Sequence, residues 1–178
     1  SWLSRSAYER CITRGMPGAM MPGFYNHNYH ILQTAGYVAI VVEMIHDARI
    51  IPLDGRAHLN ETVRQWLGDS RGRWEGNTLV VETTNFNDKV FERGAGTGYG
   101  GNVRLTERFT RVDANTIDYQ FTVDDATTFT KPWTVAAPMT KIEGPIFEYA
   151  CHEGNYAMPG ILAGGRADEK AAADAAKK

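Results

Sequence analysis

Three short clusters carry the side chains best able to do chemistry. They are "NHNYH" (Asn26 to His30), "EMIHD" (Glu43 to Asp47) with Arg49 close behind, and "YACHEGN" (Tyr149 to Asn155). Four of the five histidines fall in them, and the fifth, His58, follows the "LDGR" turn. A carboxylate beside an imidazole can work as a general acid–base pair, and a guanidinium can hold an anion or a developing oxyanion. On that chemistry Glu43 or His46 is the expected base, His152 its partner and Arg49 the electrostatic stabiliser. Tyr29, Asp47, Tyr149 and Glu153 are the expected substrate contacts.

The same residues admit two other uses. His27, His30, His46 and His152, with Glu43 or Glu153, are suitable ligand types for zinc, copper or iron. No H-x-H or H-x-x-x-H spacing supports a chelate, so the cofactor expectation is none or a single divalent metal. The ordinary use is an inward salt-bridge network, with Arg49 pairing Glu43 or Asp47. "GDSRG" (68 to 72) contains Ser70 but lacks the G-x-S-x-G elbow, and its Asp69 and Arg71 are expected to fix a turn. Aromatic residues such as Tyr37, Trp66 and Trp74 could line a sugar or aromatic-ligand pocket, although filling the core is the commoner role.

These clusters must be positioned by strands. "YVAIVVEMIHDARII" (37 to 51) reads as one buried strand, which makes its charge a problem, because an unpaired buried charge costs several kcal/mol in practice. Alternation along an extended strand puts Glu43, Asp47 and Arg49 on one face and His46 on the other. A bulge would bring His46 round. "YHILQTA" before a Gly36 turn completes a hairpin with this strand. "HLNETVRQWLGD" (58 to 69) has the signals of a short helix: Asn60 as N-cap, Glu61 in the first turn, Val63 and Leu67 on one face, and Gly68 as a stop.

Further along, "RWEGNTL" (73 to 79) and "RVDANTI" (111 to 117) repeat one hairpin signature, with Asn at the turn and Thr opening the returning strand. Ile117, Tyr119, Phe121 and Val123 then alternate with polar residues. The Gly-rich "RGAGTGYGGN" (93 to 102) lacks the context of a phosphate-binding loop and reads as a loop at a barrel mouth. "TFTKPWTVAAPMTKI" gives an edge strand, because of Pro132, and "PIFEYACHEGNY" the last strand. "RADEKAAADAAKK" is a charged, Ala-rich helix. The expected fold is mainly β: a single antiparallel β-barrel or strongly curved sheet with one short internal helix and a C-terminal helix, a β-sandwich being the alternative. As one domain over 1–178, it has an irregular packed arm (1–28), a core (29–158) and a C-terminal arm and helix (159–178).

Composition narrows the partners. With 22% charged residues, a net charge of −2 and no basic run, nothing attracts the chain to nucleic acid. No apolar stretch approaches the roughly 20 residues of a transmembrane helix. Cys11 and Cys151 are far apart and form no C-x-x-C, so a disulfide is expected. In an oxidising compartment that bridge closes a loop of about 140 residues, worth a few kcal/mol. The chain begins at Ser1 without Met, consistent with a removed leader, and the expected location is periplasmic or extracellular.

The segments "EMIHDARIIPLDGR", "WLGDSRGRWEGNTLVVETTNF", "ERFTRVDANTIDYQFTVDD" and "FEYACHEGNY" together resemble a set of exported hypothetical proteins of soil bacteria. The resemblance runs from Cys11 to the tail. It implies export and a single domain, and it carries over no catalytic residue. "GRWEGNTLVV" is also similar to strands of lipocalin-like barrels, a likeness of fold that implies no function. The leading functional expectation is an acid–base enzyme (lyase, isomerase or hydrolase) acting on a small organic or carbohydrate-like substrate. A ligand-binding protein without chemistry is the second. A structural or assembly subunit of an extracellular oligomer is the third, which would make a homo-oligomer the partner beside a small-molecule ligand.

Overall fold

The structure, a computed structural model, describes residues 5–87 and 102–176. Alternation of apolar and polar residues builds two antiparallel sheets whose apolar faces share one core. The first holds β1 (Tyr29–Gln33), β2 (Tyr37–Val42) and β3 (Ala48–Pro52) in that order. The second runs β4 (Asp69–Glu75), β5 (Thr78–Thr84), β6 (Arg104–Arg111), β7 (Thr116–Asp124) and β8 (Trp133–Ala136). The short β9 (Met139–Thr140) pairs with the start of β7, on the strand whose later residues pair with β8.

The two "x-x-x-x-Asn-Thr-x" signatures turn the β4–β5 and β6–β7 hairpins, with Glu75 opposite Thr78 and Arg111 opposite Ile117. On β7 the alternation holds: Tyr119, Phe121 and Val123 are buried. β8 starts directly after Pro132 and lies at the sheet edge, where a missing N–H does no harm. The N-terminal arm is irregular and contributes Met16, Ala19 and Met20 to the core.

The fold is mainly β, as expected. Among the described residues its two antiparallel sheets do not close into a barrel but agree with the curved-sheet or sandwich form, β3 facing β4 across one open seam and β1 facing β9 across the other. Three expectations are corrected. The stretch from 37 to 51 is a hairpin rather than one strand. It breaks at Glu43 to Asp47, where Ile45 (φ 60°) and His46 (φ 49°) take left-handed conformations and the chain reverses, so that Ile40 pairs with Arg49. Residues 58 to 69 form no helix. Asn60 accepts from the Thr62 N–H and hydroxyl, but Gln65 then pairs with the chain around Phe86. Packing overrides the weak helix propensity there. Residues 145 to 154 pair with no strand, and β8 and β9 between them already occupy the free edge of β7.

The helix α1 (Ala157–Ala175) forms and buries no residue. The Gly-rich segment lies, from 93 to 101, outside the described residues. No helix among the described residues is long and apolar enough to cross a membrane.

Candidate functional site

The reversal at "EMIHD" sends its charged residues in different directions. Glu43 is 2% exposed and accepts hydrogen bonds from Asn26 Nδ2 (3.0 Å), Asn28 Nδ2 and the Phe147 N–H (3.2 Å). Burial opposes its charge, but those three donors outweigh burial and hold the carboxyl below the ordinary value. Asp47, half-buried, accepts from Thr13 Oγ1 at 2.7 Å. Burial raises its pKa, and the Thr13 bond opposes that only in part. His46 is exposed, its Nδ1 donating to the Tyr149 carbonyl at 3.2 Å.

Arg49 does not pair with Glu43 or Asp47. Its inward position on β3 delivers it across the core to Glu107 of β6, in a two-pronged ion pair with Nη1–Oε1 at 3.0 Å. Both side chains are shut from solvent. The Tyr119 hydroxyl donates to the same carboxylate at 2.9 Å, and Ser70 and Thr83, 2.9 Å apart, lie beside Nη2. This network spans five strands and ties the two sheets together. Glu107 escaped the sequence reading, although its parity with Leu105 and Phe109 on β6 marks it as inward-facing.

The ligand-sized space lies at the two seams. The larger cavity, about 830 Å³, sits between β1 and the β9 side of the second sheet. Ile31, Val38, Ile40, Leu79, Phe109 and Ile117 give it an apolar floor. Its rim is polar and exposed, with His30, Asn115 and Lys141. Tyr29 forms part of the wall. Its hydroxyl is buried without a hydrogen-bond partner, and burial pushes its pKa up to about 12. Trp74, 46% exposed, also lines this cavity. The smaller cleft, about 530 Å³, lies at the β3–β4 seam and is lined by Asp47, Arg49, Trp66, Asp69 and Ser70 among others.

Of the expected catalytic group, Arg49 alone lines either cavity; Glu43, His46 and His152 line neither. His152 and Glu153 are exposed, and Tyr149 is half-buried against Tyr25, with ring centroids 6.4 Å apart. Neither of these two cavities is shared by His46 and His152.

The metal candidates are also dispersed. Burial, and then the charge of Arg14, lower the pKa of His27, whose Nδ1 lies 2.9 Å from the Arg14 guanidinium. Among the described residues no three His, Cys, Asp or Glu side chains are grouped to hold a metal ion. Asp69 accepts from His58 and the Leu59 N–H at 3.0 Å each and from Arg71 at 2.7 Å, holding the loop before β4. Cys11 and Cys151 form the expected disulfide, with Cα atoms 5.8 Å apart.

No protein-family model matches this chain, and neither does any curated protein or solved structure.

Proposed function

We propose that this chain is an exported small-molecule-binding protein that holds an apolar organic ligand in the cavity between its sheets. The observation that carries the reading is the cavity itself. Its size falls within the range of small-molecule sites, and an aliphatic and aromatic floor under a polar rim is the usual composition of such sites. The disulfide supports an oxidising, periplasmic or extracellular location.

Titration calorimetry with 1-anilinonaphthalene-8-sulfonate tests this reading. Saturable one-to-one binding is expected, and Ile31→Trp, which fills the cavity from β1, should remove it. Binding that ignores this substitution would place the ligand elsewhere.

A second reading keeps the acid–base expectation but moves it to the smaller cleft. Its support is Asp47, a half-buried carboxyl with a raised pKa facing that cleft beside Arg49 and Ser70. It requires turnover of some chromogenic ester, glycoside or phosphoester that Asp47→Asn abolishes. Absence of turnover across such a panel leaves ligand binding alone.

A further inference from the structure

Resting on the ligand-binding reading, we infer that residues 141 to 151 form a strap over the larger cavity, and that the Cys11–Cys151 disulfide locks it, placing ligand exchange under redox control. The strap supplies one wall: Ile142, Gly144, Pro145 and Ile146 all line the cavity. It belongs to neither sheet, since strand pairing ends at Thr140. Of its residues only Ile146, Tyr149 and Cys151 are even partly buried, so packing holds it weakly.

What pins it is a short set of point contacts. At its start the Lys141 N–H donates to the Asn115 carbonyl at 2.7 Å. Farther on, Phe147 N–H reaches Glu43, and the Tyr149 carbonyl accepts from His46, each at 3.2 Å. At its end Cys151 is bonded to Cys11 of the arm. Between the first anchor and the others sits Gly144, at φ +103° with open space where a Cβ would project. That is a backbone position favouring glycine, suited to a pivot. The tip of the β2–β3 hairpin thus has a use: Glu43 and His46 hold the strap by its backbone.

Both cysteines are partly exposed, so a dithiol reductant can reach the bond. In that step a dithiol gives two electrons and two protons to the disulfide. It leaves as its own cyclic disulfide, and Cys11 and Cys151 become free thiols. The strap then retains its few hydrogen bonds and the partly buried packing of Tyr149 against Tyr25 and the core edge.

The test is stopped-flow release of 1-anilinonaphthalene-8-sulfonate from the full chain, before and after dithiothreitol, with far-UV circular dichroism recorded on both forms. Reduction is expected to leave the β spectrum intact and to speed release by about tenfold or more. Equal release rates from the two forms would overturn the strap and leave the binding reading standing. If the oxidised protein binds no probe, the binding reading fails instead. The strap is then judged by amide exchange at Phe147, which should accelerate on reduction, and unchanged exchange would overturn it. Should reduction unfold the sheets, Phe147→Pro in the oxidised protein removes the N–H that Glu43 accepts. Release should again accelerate, and an unchanged rate would overturn the proposal.

Discussion

Glu107→Gln should destabilise the fold by about 3–5 kcal/mol, the usual effect of removing one partner of a buried ion pair. The geometry supports the upper part of that range. Glu107 is fully buried and accepts three hydrogen bonds, two from Arg49 and one from Tyr119. The amide can still accept from Tyr119, but it turns an N–H₂ towards a guanidinium and leaves a cation in the core without a counter-charge. Arg49→Met should have a similar effect, stranding the carboxylate with a single neutral donor. The triple variant Arg49→Met, Glu107→Leu, Tyr119→Phe removes the charges and the dependent hydroxyl together. It should lie within about 1–2 kcal/mol of the parent, because an apolar replacement of a whole buried pair is commonly near neutral. Urea unfolding followed by tryptophan fluorescence, with m-values compared, measures all three. Single substitutions below about 1 kcal/mol would refute the reasoning. If Arg49 is scaffold, the folded triple variant should also bind ligand as the parent does.

Three further outcomes follow from local geometry. Asn85→Ala should cost about 1–3 kcal/mol and admit proteolysis between 59 and 65. Asn85 Nδ2 serves the carbonyls of Leu59, Asn60 and Val63 at 3.0–3.2 Å, so equal protease resistance would count against this. Gly68→Ala should cost about 2–4 kcal/mol by urea unfolding, because the residue sits at φ +71° and a Cβ would meet the Thr84 carbonyl oxygen at 2.7 Å. Glu43 has a lowered folded-state pKa, so its contribution is fully present above the ordinary value of 4.5 and disappears as pH falls through the folded value below it. Glu43→Gln should flatten that acid limb of the stability–pH curve, and an unchanged limb would contradict the assignment.

Features of the fold that depend on nearby residues were legible in the sequence. The "RWEGNTL" and "RVDANTI" hairpins follow from turn chemistry that needs no distant partner, and the edge position of β8 follows from Pro132. The break at Ile45 was not legible, because an apolar, β-branched run reads as extended and no glycine or proline marks the turn. The crowd of charges signalled a network or a site within one strand, not a break in it. Its resolution lay far off in the chain, in Asn26, Asn28 and Phe147 for Glu43 and in Glu107 for Arg49. The helix expected at 58 to 69 failed for the same reason: Asn85, outside the window, dictates that loop's path. Tyr29 was assigned to the ligand from its sequence cluster and does line the larger cavity. The rest of that wall is ordinary core residues at a seam, and no local pattern distinguishes those from any other apolar position.

The central claim is that the space between β1 and β9 takes up a small apolar molecule. An NMR titration of the ¹⁵N-labelled, oxidised protein with 1-anilinonaphthalene-8-sulfonate tests it most directly. The predicted result is a saturable set of amide shifts centred on Ile31, Val38, Leu79, Phe109, Ile117 and Met139, with the strands around Arg49 and Glu107 little changed. Shifts confined to α1 or to the Asp47 cleft, or none at all, would contradict the account.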